Sequence, residues 1–223
     1  MATIVAGHFF DGRDRVMGLK IYGIARSRAF RNLWATGELG IKYEHVLTDF
    51  SDGPNSCREP SFKAINPNAA VPVIDDDGFK LWESLAINLY LAKKHADKGL
   101  YPKSLQDEAK VWQWALWTAS SIEGPLGTWQ SHALMLPPEK RDPKQAAEAL
   151  QKLAGPLKVL DDQLKAQQYL VGNQFTVADL NLASVMSRAT QMDLSATPNV
   201  KAWLNRCLDR PAAQAALKQR AAA

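Results

Sequence analysis

The segment Asn66-Pro-Asn-Ala-Ala-Val71-Pro72-Val-Ile74-Asp-Asp-Asp-Gly78-Phe-Lys-Leu-Trp82-Glu83-Ser84-Leu-Ala-Ile87 carries two strand signals, a turn and a helix start in succession. Apolar runs at 71–74 and 79–82 flank an acidic turn that ends in Asp77-Gly78, which predicts a β-hairpin. Ser84 then predicts an N-cap for a helix bearing Leu85, Ile87, Leu89, Tyr90 and Leu91. A proline opening a strand cannot donate to the ladder, so Pro72 belongs at a sheet edge or in a special bend. A trans peptide there gives an ordinary edge strand. A cis peptide turns the Val71 backbone outward, free to pair with an extended ligand.

Upstream, residues 19–22 (Leu-Lys-Ile-Tyr) predict a strand ending at Gly23. Ser27 predicts the cap of a helix through Ala29, Phe30, Leu33 and Trp34, which Gly37 and Gly40 bring to a stop. Residues 43–47 alternate as a second strand, and 51–68 read as irregular. Residues 1–18 show no sustained period and read as an N-terminal extension or the product of an upstream start. The order is βαβ, irregular segment, ββα. Beyond Gly99-Leu-Tyr-Pro102 the pattern predicts helix only. The division is therefore an α/β domain over 19–98, a linker at 99–105 and an all-helical domain over 106–223.

The 223 residues carry 27 basic and 23 acidic side chains, interleaved along the chain, and 46% are hydrophobic. That composition excludes disorder, collagen and coiled coil for the bulk of the chain. No basic stripe points to nucleic acid, though a mild attraction for anionic small molecules follows from the net charge of +4. Cys57 and Cys207 form no CxxC pair, and the four histidines have no metal-ligand spacing, so no metal is expected. No apolar run is long enough to span a bilayer, and the N-terminus lacks signal-peptide character, so neither a membrane nor a secretory route is expected. The expected location is the cytoplasm.

Three places concentrate chemistry. Glu83-Ser84 sits where the hairpin enters its helix: Ser84 is an ordinary cap or, with the free N–H groups of the first turn, a seat for a carboxylate. Glu83 beside it would neutralise an ammonium, so the pair suits an α-amino-acid head group. Ser27, flanked by Arg26 and Arg28 at another helix start, would stabilise an anion by a charge-assisted hydrogen bond. It lacks a nucleophile elbow, so a bound thiolate is the anion that gains most. Thr176-Val-Ala-Asp179 is a capping box with Phe175 and Leu180 at its staple positions, a structural signal. Trp112, Trp114 and Trp117 cannot all face one way on a helix.

Together, Tyr22-Gly-Ile-Ala-Arg-Ser27-Arg-Ala-Phe-Arg31, the segment from Asn66 to Leu91, and Tyr169-Leu-Val-Gly-Asn-Gln-Phe175-Thr176-Val-Ala-Asp179-Leu180 resemble the cytosolic glutathione S-transferases. The likeness covers the chain from about Leu19 to Arg210. It implies a thioredoxin-like N-terminal domain with a cis-proline, followed by an all-helical domain, assembled as a homodimer. Glutathione is the implied co-substrate, a small hydrophobic electrophile the implied partner and detoxification the implied role. The resemblance maps the glutathione-binding positions onto Val71, Pro72, Glu83 and Ser84. It maps the thiol-activating hydroxyl onto Ser27 in serine-type members, with Tyr22 the rival; the spacing to Arg31 fits the serine type. Arg26 and Arg28 are candidates for the field at the sulfur. Ile24, Trp117 and Trp129 are candidates for the electrophile pocket. Where the family carries Lys or Gln before Val-Pro this chain has Ala70, with Lys63 and Arg58 the nearby charges that would substitute. The alternatives on the same fold are a glutathione-dependent disulfide or peroxide reductase and a non-catalytic ligand- or protein-binding module.

Overall fold

The computed structural model describes residues 18–223, so the expected N-terminal extension lies outside the described residues except for Gly18. β1 (Leu19–Tyr22) alternates buried and half-buried side chains, as a strand with both faces covered unequally must. α1 (Ala29–Leu39) crosses to β2 (Glu44–Val46), which pairs parallel with β1. A short helix, α2 (Pro60–Lys63), interrupts the segment expected to be irregular. β3 (Val73–Asp76) and β4 (Phe79–Trp82) form the hairpin, and α3 (Ser84–Lys94) follows. The sheet order is β2-β1-β3-β4, with β3 antiparallel to both neighbours and Ile21 opposite Ile74. This is the thioredoxin-like half. Leu19, Ile21 and Ile74 face the helices α1 and α3, whereas Val73, Phe62, Cys57 and Val71 form a smaller cluster under α2.

The hairpin turn is Asp77-Gly78, with φ of 53° and 96°. Two successive left-handed residues match the right-handed twist of the strands, which is why Asp-Gly suits the position. Asp75 Oδ1 accepts the Gly78 N–H at 2.6 Å and closes it.

Several boundaries differ from expectation for physical reasons. Val71–Pro72 is cis and β3 starts only at Val73. Gly37 does not end α1. It lies inside the helix, where an added Cβ would sit 3.1 Å from the Ala212 Cβ, so it serves close packing. Gly40, left-handed at φ 62°, is the terminator, its N–H bonding back to Gly37 and Thr36. Ser27 stands one residue ahead of the cap position, Arg28, yet its Oγ accepts the Ala29 N–H at 3.1 Å. Ser84 is the first residue within α3, and Glu83 holds the cap position at φ 73°.

From α4 (Leu105–Trp117) onward the described residues form helices only. A π-helical turn (Thr118–Glu123) joins α4 to α5 (Gly124–Gln130), and α6 (Pro143–Gln163) packs on α5. α7 (Val177–Val185) is buried along its whole length and runs into a 3-10 turn (Met186–Gln191). α8 (Pro198–Leu208) has its first N–H groups, those of Asn199 and Val200, capped by Asp161 of α6. α9 (Pro211–Ala222) returns to lie along α1. There Arg210 makes a bidentate pair with Glu38 at 2.8 and 2.7 Å. No helix among the described residues is long and apolar enough to cross a membrane.

The capping box at α7 is present in full. The Asp179 carboxylate is wholly buried and accepts from Leu170 N–H, Thr176 N–H, the Thr176 hydroxyl and Trp203 Nε1–H, all within 3.1 Å. Removing one acceptor therefore orphans several buried donors. Thr176→Ala is expected to cost about 1 kcal/mol. Asp179→Ala is expected to cost about 3 kcal/mol, since each buried group left unsatisfied costs roughly 1–3 kcal/mol. Denaturant unfolding of the two variants checks the order; equal losses would mean that the carboxylate does no more than cap.

Candidate active site

A cavity of about 360 Å³ opens between the start of α1, the Phe50 loop, the Ala70–Val71 segment, α5, the 3-10 turn after α7 and the end of α9. Ser27 lies on it. The Oγ donates to the Ile24 carbonyl at 2.7 Å while accepting from Ala29 N–H. A hydroxyl carries one proton, so donation to a ligand requires rotation away from Ile24. The Ala29 bond persists through that rotation and polarises the O–H. Gly23, just before, is held at φ 139°, and an added Cβ would clash with Ala29 at 2.8 Å, so the strand-to-helix turn admits glycine alone.

Val71 lines the same cavity, and its N–H and C=O find no backbone partner among the described residues. Ala70 beside it has its carbonyl held by Asn66 Nδ2–H at 2.7 Å. Pro72 is buried behind. Arg58 pairs with exposed Asp52, and neither Arg58 nor Lys63 reaches this cavity.

Glu83 and Ser84 line a second, adjoining cavity of about 450 Å³ rather than the first. Arg28, Arg31 and Glu123 line both. Ser84 is buried, and its Oγ accepts from Arg31 Nη1–H at 3.0 Å. The proton of that hydroxyl has no acceptor among the described residues, and the N–H groups of Ser84, Leu85 and Ala86 head the helix without partners.

Arg31 and Glu123 went unsuspected in the sequence. Arg31, buried on α1, donates to Ser84 and to Glu123 Oε1 at 2.9 Å, and Arg28 Nε meets the same oxygen at 2.7 Å. The π turn carries Glu123 to this place, so a helical half supplies the counter-charge to a residue of the sheet half. Burial pushes the Arg31 guanidinium down, with Glu123 opposing. For Glu123, burial alone would push the carboxyl up, but Arg31 and Arg28 outweigh it and hold it below the usual carboxylate range. The only sequence signal was the pair of arginines three apart at the start of α1, one at its cap and one within it; nothing local announced Glu123.

Other expected residues fall elsewhere. Tyr22 is off the cavity, its ring edge-on to Phe62 at 6.1 Å and its hydroxyl pushed up by burial. Ile24, Trp117 and Trp129 do not line the cavity either. Trp129 is buried in the core, and Trp117 packs edge-on against Trp114 of its own helix at 5.1 Å. The apolar part of the wall is Phe30, Phe50, Leu126 and Val185 instead. Arg26 and Arg28 do line it, joined by Arg31, Arg188 and Arg220.

Comparison with known proteins gives a consistent picture. The family model "Glutathione S-transferase, N-terminal domain" matches residues 17–93, and "Glutathione S-transferase, C-terminal domain" matches 129–211. The chain is 33% identical to glutathione S-transferase D7 of Anopheles gambiae over 174 residues, 77% of each chain. It is 32% identical to a glutathione S-transferase of Hyoscyamus muticus over 206 residues, covering 88% of this chain and 96% of that one. Among solved structures, the theta class glutathione S-transferase of Xanthomonas axonopodis pv. citri with glutathione bound superposes with a TM-score of 0.81 at 30% identity, covering 90% of this chain and 97% of that one.

The Arg28–Glu123–Arg31 cluster has a signature in acid. The folded-state pKa of Glu123 lies below its unfolded value of ~4.3. Its contribution to stability is therefore complete above that value and is lost as pH falls through the folded-state pKa. Glu123→Gln is expected to be destabilised, with its deficit relative to wild type widest above pH ~5 and narrowing below pH ~4. Urea unfolding of both proteins down an acid series measures this; a constant deficit would mean that packing, not charge, is what Glu123 supplies.

Proposed function

The chain belongs to the glutathione S-transferase family and is an enzyme of it, and from that premise we propose that it joins the thiolate of glutathione to an electrophilic carbon, with Ser27 stabilising the thiolate. The observation that carries the reading is one cavity holding the Ser27 hydroxyl, the unpaired Val71 backbone and a guanidinium-rich wall.

In this reading glutathione lies extended, its cysteinyl N–H and C=O paired with the Val71 backbone. Its γ-glutamyl carboxylate accepts hydrogen bonds from the Ser84 hydroxyl and from the N–H groups at the start of α3, with Arg31 behind Ser84 adding charge. Its ammonium meets Glu83. The positive φ of Glu83 costs roughly 1–3 kcal/mol for an L residue, and such strain fits a side chain held for a ligand. The sulfur then sits at Ser27. A thiol of ordinary pKa, ~8.5, is only a few per cent ionised at neutral pH. Lowering it by two units requires about 2.7 kcal/mol of preference for the anion. One charge-assisted hydrogen bond from Ser27 supplies roughly 1.5–3 kcal/mol, and the arginines add to it. The thiolate attacks the electrophile held against Phe30, Phe50 and Leu126: a C–S bond forms, the leaving group departs with its electron pair, and the thiol proton goes to solvent.

Tyr22 is the weaker donor candidate, being off the cavity with its hydroxyl pushed up. A reductase cycle through a protein thiol has little to work with, because Cys57 and Cys207 are buried and neither lines the cavity.

The reading extends to a homodimer. Phe79 and Trp82 on the edge strand β4, and Leu105 (76% exposed), Trp112 and Leu116 (67%) on α4, leave apolar surface on both halves of the chain. Such surface marks an interaction face, and a two-fold arrangement sets the sheet half of one subunit against the helical half of the next. A stable monomer in sedimentation at micromolar concentration would contradict it.

The chemistry has its own test. Ser27→Ala is expected to leave glutathione affinity nearly unchanged and to raise the pKa of the bound thiol by about one unit or more, each unit being about 1.4 kcal/mol. Turnover near neutral pH falls with the thiolate fraction and recovers in part at alkaline pH. Thiolate absorbance against pH, at saturating glutathione, measures it directly. Coincident curves for wild type and variant would remove Ser27 from the mechanism.

A further inference from the structure

The wall of the Ser27 cavity is charged well beyond what a hydrophobic electrophile needs. Arg26, Arg28, Arg31, Arg188 and Arg220 line it against a single carboxylate, Glu123, which is already shared by Arg28 and Arg31. Arg188 and Arg220 come from different elements, the 3-10 turn after α7 and the end of α9, and both line this cavity. Neither makes an ion pair among the described residues. Arg220 is half-buried, with its guanidinium 4.2 Å from the Phe30 ring centroid and Nη1 donating to Ser187 Oγ at 2.9 Å. Among the described residues Arg188 Nη1 donates only to the Met135 sulfur, a weak acceptor, at 3.2 Å. Two guanidiniums carry ten N–H donors between them, and most have no partner among the described residues.

Two cations lining one wall repel each other. Burial, and then the neighbouring Arg188, push Arg220 down to about 10. Phe30 and Ser187 fix the guanidinium at the cavity wall, where its planar fork presents donors to an oxyanion. An incoming anion relieves the repulsion and pairs both cations at once.

We propose that the electrophile taken by this enzyme carries an oxyanion, a carboxylate foremost, and that Arg188 and Arg220 receive it. The inference rests on the transferase reading above, with Ser27 at the thiol end of the same cavity. The other source of a carboxylate is the glycyl end of glutathione itself, and the test separates the two.

4-Chloro-3-nitrobenzoate and 4-chloro-3-nitrobenzamide share ring, leaving group and near-identical shape, and differ in charge. With either, the glutathione thiolate forms a C–S bond at the chlorine-bearing carbon, the C–Cl bond breaks, chloride leaves and the thiol proton goes to solvent. Arg220→Gln and Arg188→Gln are each expected to lower kcat/KM for the benzoate about tenfold relative to the benzamide, corresponding to about 1.4 kcal/mol. The KM for glutathione stays unchanged. Arg220→Lys recovers part of the preference, and added salt weakens the benzoate alone. Equal losses for both electrophiles would assign the arginines to packing. A raised KM for glutathione with unchanged preference would assign them to its glycyl carboxylate. Either result overturns the proposal. Calorimetric binding of the two aryl compounds without glutathione isolates the site from the chemistry. Benzoate bound about tenfold more tightly than benzamide, with the difference lost in Arg220→Gln, upholds the anion site even if no conjugate forms, in which case only the transferase reading fails. Equal binding to wild type overturns the site itself. Arg188, half-exposed and without packed aromatic contacts, provides the variant that folds should Arg220→Gln not.

Discussion

Three buried asparagines join the two halves of the molecule. Asn32 of α1 donates to the Ser84 carbonyl and to Asn88 Oδ1 of α3; Asn88 donates to Asn181 Oδ1 of α7; Asn181 returns a bond to the Leu85 carbonyl. All three side chains are fully buried. A buried amide left unpaired costs roughly 1–3 kcal/mol, so sliding any of these helices breaks several bonds at once without water to replace them. The starts of α1 and α3, where Ser27 and Ser84 stand, thus have a fixed relation to each other and to the helical half. Arg31, next to Asn32, extends the same joint to Glu123 through a charged pair. The one lone pair-bearing atom left over, Asn32 Oδ1, is the sole buried side-chain polar atom without a partner among the described residues.

α1 bears the consequences on all sides. Its C-terminal part lies against α9 closely enough to demand Gly37, and Glu38 secures Arg210 at the start of α9. Those contacts set the far end of α9, and with it Arg220, over Phe30. Trp34, on the same helix, stacks with Phe175 at the head of α7, which Arg210 covers from the other side. The cavity wall is therefore assembled by packing far from the cavity, and the guanidiniums that line it are held by a rigid frame rather than by each other.

Local signals in the sequence were reliable where the chemistry is local. The Asp77-Gly78 turn, the strands at 19–22 and 79–82, and the Thr176–Asp179 box each rest on backbone preferences of a few consecutive residues, and each stands where it was read. Misreadings arose where a neighbour in space decides. Gly37 looks like a helix terminator until Ala212 approaches it. Trp117 and Trp129, read as candidates for a pocket wall, stand off the Ser27 cavity, one against Trp114 of its own helix and the other in the core. Glu123 and Arg31 are 92 positions apart, and Arg188 and Arg220 belong to separate helices, so no spacing rule brings either pair together. The net charge along the chain suggested only a mild taste for anions; the fold gathers five arginines at one cavity.

In the conjugation proposed above, the charge of the assembled complex gives that gathering a purpose. Five guanidiniums line the first cavity with Glu123, and two of them, Arg28 and Arg31, also line the second with Glu83, so the two cavities together carry three positive charges over. Glutathione as thiolate brings three negative groups and one ammonium, and so cancels two of them. With a neutral electrophile one guanidinium stays uncompensated in a partly desolvated wall, where two unit charges ~8 Å apart at an effective dielectric near 20 still interact by about 2 kcal/mol. An anionic electrophile cancels that last charge, so the reacting complex is neutral as a whole while each anion keeps its own donors. Once the C–S bond has formed and the leaving group has carried its charge away, the conjugate holds one negative charge fewer than the reactants did. The pocket returns to an excess of positive charge, and the product is bound by one charge interaction less than the pair that formed it, which favours its departure and the entry of the next anionic pair.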